Sequence, residues 1–321
     1  MALVVLGGLG GGGDIGLAII LEHLLEGVET VYVSFAGCKP STYPGHRVAG
    51  SLFVPIRHYP RDFEWSLKKL RPDAAVYRLC VKAERSLVEE ALEWLDRAYR
   101  PECTLHTDIG GDGALTGYEK DLGSYITDTL ARAALLWAHE MLGWRSLLAI
   151  GGLQLEGGRR RFLNLEELVA DLLYYEEKGA LLGVIDPPPG TVQRAKAILY
   201  PGREMVSVML PLYLAALEGK TAVTISKGYS TGLHRIDWWA RYVFLLDNAK
   251  ACRASPLCMA AREKWIQGIS RWSPPAPPRN YTWALRRARK NPEQALRKLI
   301  RRYGDHSPSI SSLCTGRQGY S

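Results

Sequence analysis

In the first half of the chain, five apolar segments of strand length alternate with segments of helical periodicity, and three of the five run directly into paired glycines. That alternation narrows the fold more than any other feature. Strands separated by amphipathic helices pair side by side in parallel, with the helices laid over the sheet. Residues 2–7, 28–34, 74–81, 102–107 and 146–150 read as strands, and 15–26, 62–70, 84–98 and 125–142 as helices. Ile15, Ala18, Ile19 and Leu25 mark the inward face of the first helix, and Leu87, Ala91, Trp94, Leu95 and Ala98 that of the third. Arg71-Pro72 stops the second. Beyond residue 160 the pattern gives a helix at 164–177, a strand at 181–185, a break at Pro187–Gly190, a helix at 203–218, strands at 221–226 and 241–246, and a helix at 257–270. The expected fold is α/β: a doubly wound, mostly parallel Rossmann-like sheet with helices on both faces and a basic helical C-terminal extension. Residues 1–272 are expected to form one α/β domain, with a ligand cleft built mainly from 1–160. Ser273–Pro278 contains four prolines and reads as a stiff spacer, and 279–321 as a basic helical tail. The glycine- and proline-containing segment 37–50 reads either as a lid or as a long connection.

The glycine loops give the cleft its expected place. If the first five strands take the order 3-2-1-4-5, the winding reverses between strands 1 and 4. Open α/β sheets bind ligands in the crevice at that reversal. The loops that follow strands 1, 4 and 5 then line one mouth. They contribute Gly10, Gly11, Gly12, Gly13, Gly110, Gly111, Gly151 and Gly152 as candidate cofactor-binding residues, because glycine lets backbone approach a ligand closely. Lys227, in Ser226–Gly232, is a candidate anion contact with Arg235 beside it; a solvated polar turn is the alternative. The first loop matches G-x-G-x-x-G in two registers, Gly8/Gly10/Gly13 and Gly11/Gly13/Gly16. A nicotinamide dinucleotide would also want a carboxylate at the end of strand 2, where the chain reads Ser34-Phe35-Ala36-Gly37-Cys38-Lys39. That absence counts against NAD and against S-adenosylmethionine. No G-x-x-x-x-G-K-[ST] is present, so a P-loop is not expected.

Aspartates punctuate the same loops. Asp14, Asp108 and Asp112 are the candidate ligands for Mg²⁺, which keeps several waters and borrows oxygens from a nucleotide or other phosphorylated ligand. Asp108, Asp112 and His106 are the catalytic candidates. The competing readings are ordinary ones. Asp14 and Asp128 could cap helices, Asp108 and Asp112 could brace a turn, and His106 could be a packed strand residue. Glu119, Lys120 and Asp121 read as a solvated helix edge.

Composition sets the wider limits. Hydrophobic content of 47% and charged content of 23% are those of a globular protein. No apolar run reaches the length of a bilayer span, and the N-terminal apolar run reads as a strand, not a signal peptide. The six cysteines show no C-x-x-C spacing. Cys80 and Cys103 fall in strand-like segments and are expected as buried free thiols, which suits a cytoplasmic protein. Four Asn and five Gln beside abundant Arg give a thermophile-like composition.

Gly10–Asp14, together with Thr107-Asp108-Ile109-Gly110-Gly111-Asp112 and the following Gly117, Glu119, Ser124 and Asp128, resembles an archaeal and bacterial family described as domain of unknown function 1152. The resemblance covers roughly residues 1–250. It implies the same fold and site and carries no reaction. A further acidic residue is implied after the fifth strand, where this chain has Gly151-Gly152-Leu153-Gln154-Leu155-Glu156.

The net charge of +8 is concentrated in the tail. Residues 279–321 hold ten Lys/Arg and two Asp/Glu, and the remainder of the chain is balanced. Helix-like segments broken at Asn291-Pro292 carry Arg286, Arg287, Arg289, Lys290, Arg297, Lys298, Arg301 and Arg302. This is either a docking helix with its charges in water, or a contact for nucleic acid or an acidic protein through residues 279–302. Three functions stay open: an enzyme acting on a phosphorylated small molecule with Mg²⁺, a non-enzymatic binding protein using the same cleft, and a nucleic-acid-associated protein acting through the tail. No membrane partner is expected.

Overall fold

The computed structural model describes residues 3–10, 13–25, 28–56, 63–119, 122, 125–155, 164–188, 190–199, 209–225, 231–304 and 309–315. Its strands are β1 (Leu3–Gly10), β2 (Glu29–Ala36), β3 (His46–Ala49), β4 (Leu52–Val54), β5 (Val76–Cys80), β6 (Cys103–Ile109), β7 (Arg145–Gly151), β8 (Leu181–Ile185), β9 (Ala222–Ile225), β10 (Gly232–Arg235) and β11 (Val243–Asp247). The helices are α1 (Asp14–Leu21), α2 (Phe63–Leu70), α3 (Arg85–Tyr99), α4 (Ile126–Leu142), α5 (Leu165–Glu177), α6 (Gly190–Leu199), α7 (Met209–Leu217), α8 (Asn248–Ala254), α9 (Pro256–Lys264), α10 (Ile266–Ile269), α11 (Arg279–Lys290), α12 (Pro292–Gly304) and α13 (Ile310–Thr315).

Nine strands form one sheet in the order β3-β4-β5-β2-β1-β6-β7-β11-β8. Its middle, β5-β2-β1-β6-β7, is parallel throughout and reproduces the expected 3-2-1-4-5 order of the first five strands. The flanks do not follow the expected pattern. β11 runs antiparallel to both β7 and β8, and β4 runs antiparallel to β5 and to β3. The sheet is therefore mixed. Segment 37–50 ends in β3, which with β4 forms an antiparallel edge, and among the described residues β9 pairs only with β10, in a separate two-stranded sheet.

Strand periodicity divides the core. Leu3, Val5 and Leu9 of β1 face one side, and Val4 and Leu6 the other. The first side is covered by α3, α4, α5, α8, α9, α11 and α12, the second by α1, α2, α6, α7 and α13. α4 is buried continuously from Thr127 to Ala138, lying between the sheet and the α8–α9 layer. A helix that is buried all round has no solvent stripe to display, and its inner end sits beside the expected cleft. The helix expected at 257–270 breaks at Trp265 (φ 54°) into α9 and α10.

The C-terminal extension is docked, not dangling. Tyr281, Ala284 and Ala288, spaced three and four residues apart, form the buried side of α11, which packs on α5. Small residues along that stripe allow a close approach. Ala295, Leu296 and Leu299 do the same for α12 against β8 and α5. Tyr281 reaches in between Tyr118 and Tyr174, with ring centroids at 4.7 and 5.6 Å.

The cysteines overturn the expectation of free thiols. Cys38–Cys80, Cys103–Cys314 and Cys252–Cys258 are disulfides, and no cysteine is left unpaired. Strand burial of Cys80 and Cys103 was legible, but their partners come from a distant turn and a distant helix. Disulfides are rare in the reducing cytosol of mesophiles and common inside hyperthermophiles, so cysteine content no longer supports a cytoplasmic location by itself. Among the described residues no helix is long and apolar enough to cross a membrane.

Cys103–Cys314 spans 211 residues, and closing so long a loop stabilises the folded state by on the order of 5 kcal/mol in the chain-entropy account. Denatured, unreduced protein should show no reactive thiol and reduced protein all six. C314S should lower the denaturation midpoint, and a midpoint unchanged by both C314S and dithiothreitol would refute the linkage.

Candidate functional site

β1, β2, β5, β6 and β7 run the same way, so the loops after Gly10, Ala36, Cys80, Ile109 and Gly151 leave the sheet along one edge. The chain winds outward from β1 through β2 to β5, then returns to the other side of β1 as β6. The expected crevice lies at that reversal.

Two contacts close the first loop on the second. Asp14 Oδ1 accepts a hydrogen bond from the Ile109 amide at 2.9 Å. The Thr107 hydroxyl donates to the carbonyls of Asp14 at 2.5 Å and Gly7 at 3.1 Å. Asp14 is thus not the helix cap weighed above. Gly13 takes the cap position of α1 with no side-chain cap bond, and the carboxylate reaches across to β6 instead. Asp108 behaves as the turn-bracing reading has it, since its Oδ2 accepts from the Gly111 amide at 3.2 Å and the Gly113 amide at 3.1 Å. The third loop joins the second through its backbone, with Gly110 N–H donating to Gly151 O and Gln154 N–H to Gly110 O, both at 3.0 Å.

Asp128, in the first turn of α4, completes the cluster. It caps nothing and is 4% exposed. Among the described residues its Oδ1 has no hydrogen-bond partner. Gly10, at φ +78°, passes so close that a Cβ there would stand 2.0 Å from that oxygen. Only glycine is comfortable at this φ and at this approach. Burial pushes the Asp128 carboxyl well above the usual carboxylate range. The neighbouring charges of Asp112, Asp108 and Asp14 push it further, as does a hydrogen bond with Asp112. Both effects favour the protonated form of Asp128. Asp14, Asp108 and Asp112 are 8%, 2% and 4% exposed, so four carboxyl groups meet out of water. Among the described residues no group of three or more His, Cys, Asp or Glu side chains is arranged to hold a metal ion by itself.

A positive group stands on the neighbouring side. A Cβ on Gly37, just past β2, would lie 2.8 Å from Thr127 Oγ1 and 3.3 Å from Lys82 Nζ. Lys82 follows β5 and is half-buried. Lys82 and Thr127 were not among the sequence candidates. The available signal was position, since both sit where a parallel strand ends or the helix after one begins. Lys39 is exposed.

His106 has no such exposure. It lies in the middle of β6, fully buried, with its ring edge-on to Phe35 at 4.5 Å. Burial lowers its pKa to about 3, so it is a neutral packed residue and cannot reach a ligand in the mouth. Glu119 is not a solvated edge. At 1% exposure it accepts from the Thr116 amide and hydroxyl at 2.8 and 2.6 Å and from the Gly117 amide at 2.7 Å, beside buried Asp171. Gly111 (φ +116°), Gly151 and Gly152 back onto Leu168, Leu17, Tyr213 and Ile109, so packing alone requires them to be small. Gly13 heads α1, and Arg235 lies exposed on β10. Gly11, Gly12, Lys120, Asp121, Ser124, Glu156 and Lys227 lie outside the described residues.

No protein-family model matches this chain, and no curated protein or solved structure matches it either.

The buried imidazole has a measurable consequence. His106 titrates near 6.5 when unfolded and near 3 when folded, so between those values the unfolded chain binds the extra proton. Stability must then fall as pH drops through that window. H106F, which keeps the contact with Phe35, should gain on the wild type by roughly 3 kcal/mol between pH 7 and pH 4, at about 1.4 kcal/mol per pH unit. Parallel urea curves at the two pH values would contradict the buried neutral state.

Proposed function

We propose that the crevice between β1 and β6 is a cation-dependent site for a nucleotide or other phosphorylated small molecule, and that the protein is an enzyme acting on that ligand. The observation that carries this reading is the Asp128 carboxyl, buried against Gly10 with an oxygen unpartnered among the described residues and surrounded by three more aspartates. Isolated buried charge is costly, and such groups stay neutral, pair, or hold a metal. Asp14 and Asp108 each commit one oxygen to backbone amides, which makes them positioning residues for the loops. Asp128 and its hydrogen-bonded neighbour Asp112 are the pair on which Mg²⁺ would act, displacing the proton whose binding burial and the neighbouring charges favour. Two carboxylates suffice for Mg²⁺ when waters and phosphate oxygens complete its shell. Lys82, Thr127 and the start of α4 offer the phosphate a cation, a hydroxyl and helix amides. The 3-2-1-4-5 parallel centre makes the fold Rossmann-like and doubly wound in this reading, and the resemblance to domain of unknown function 1152 belongs with it. The positive rim where a dinucleotide site would place an acid argues for phosphate over an NAD ribose.

The burial of His106 removes one general-base candidate, and this favours the second reading, a non-enzymatic binding protein using the same crevice. Turnover of a ligand identified by the screen below separates the two.

Binding that displaces a proton strengthens as pH rises. Mg²⁺ with nucleotides or sugar phosphates should raise the melting temperature more at pH 8 than at pH 6, and neither component alone should match the pair. D128N removes the buried acid's tendency to ionise. Without divalent cations it should be at least as stable as wild type at pH 8, because a raised folded pKa costs stability as pH climbs toward it. With Mg²⁺ and ligand its thermal shift should vanish. A D128N protein that responds to Mg²⁺ and ligand as wild type does would sink the assignment.

A further inference from the structure

The outward faces of the C-terminal helices carry a second site. On α11, Arg279, Trp283, Arg286 and Lys290 recur at intervals of four, three and four residues, directly opposite the buried Tyr281, Ala284 and Ala288. All four are exposed, Trp283 by 54%, and the Arg287 guanidinium lies 5.4 Å from the Trp283 ring centre. Lys298 and Arg301 continue the positive row on the outward side of α12. Some cations on the body are neutralised. Arg85 pairs with Glu89, Arg97 with Glu93 and Arg262 with Glu140. On the extension, Arg289 and Arg302 pair back to Glu166 and Glu176 of α5, whereas Arg279, Arg286, Lys290, Lys298 and Arg301 form no ion pair among the described residues.

We propose that this row binds the sugar–phosphate backbone of nucleic acid without regard to sequence. Docking fixes the cations on a rigid helix, and Arg279 to Lys290 spans about 16 Å along its axis. A duplex carries about ten charges over that length. Backbone binding asks for charge and little apolar surface, which is what this face offers. A protein partner would require an apolar centre to its interface, and Trp283 is the sole large exposed hydrophobic on the extension among the described residues. A bilayer surface would require an apolar helix face, and both helices have spent theirs on the body. Trp283 provides one platform on which an unpaired base stacks.

The test is fluorescence anisotropy with a labelled 20-nucleotide single strand and a 20-base-pair duplex, using the full chain. With one phosphate contact from each of these five cations, affinity should fall roughly 130-fold for the single strand and 500-fold for the duplex between 50 and 200 mM KCl. R279E/R286E/K290E should weaken both at least tenfold at 50 mM KCl. The glutamine triple variant should do the same by a smaller factor, which covers the case in which charge reversal perturbs folding. R97E, on a distant exposed helix, should change neither. W283A should weaken the single strand more than the duplex. The proposal is overturned by absence of binding at 50 mM KCl, or by binding that survives both triple variants. It is also overturned if polyglutamate of equal charge competes as well as nucleic acid, or if phosphatidylserine vesicles bind more tightly than either oligonucleotide.

Discussion

The hydrogen bond from the Ile109 amide to Asp14 joins two parts of the chain that the sheet merely places side by side. β1 and β6 are neighbours by backbone pairing, but their following loops diverge toward opposite faces, one into α1 and the other toward α4. The Asp14 carboxylate, held also through the Thr107 hydroxyl on its own carbonyl, draws the start of α1 onto the end of β6. Once that distance is set, the second loop has to turn sharply. Asp108 braces the turn with two amides, and α4 begins where Asp128 faces Gly10. The acid cluster is thus a by-product of closing the mouth of the sheet.

Much of this was legible in the sequence. The first five strands followed from alternating periodicity, whereas their order was a premise that the parallel centre of the sheet matches. The meeting of the Gly10–Asp14 and Asp108–Asp112 segments followed from that order. The direction of β11 was not legible, because a short apolar run has the same pattern whichever way it runs. α6 was missed, and α8 with it, since both are short and carry weak apolar periodicity between stronger elements. Cys103 and Cys314 read as separate buried residues because nothing local relates them. Asp128 and Glu119 were read as local features, a helix start and a helix edge. Their burial is decided by Gly10 in one case and by Thr116 and Asp171 in the other, contacts that exist only after the layers assemble.

A second set of buried acids sits away from the crevice and works differently. Glu119 is fully engaged by Thr116 and Gly117, and Asp171 accepts from the Thr116 hydroxyl at 3.0 Å while burial, then the charge of Glu119, pushes its pKa well up. Tyr281 faces this group from α11, and its own ionisation is pushed upward by burial and by the same acids. Here two carboxyl groups organise a loop and receive a side chain from the extension. The crevice shares this burial, and among the described residues Asp128 Oδ1, Asp171 Oδ2 and the Tyr281 hydroxyl all lack a hydrogen-bond partner. The two clusters differ in what closes them, the Gly10 backbone against Asp128 in one and the Tyr281 side chain beside Asp171 in the other.

The insertion of Tyr281 has a consequence for the outer face of its helix. A residue that completes the interior on one side and cations that repel one another on the other are carried by the same twelve-residue helix. Lateral repulsion along α11 therefore works against the seating of the tyrosine, and any polyanion that relieves it must tighten the interior by linkage. Surface occupancy and core cohesion are two readings of one equilibrium, so the extension can report on its outside through the melting of its inside.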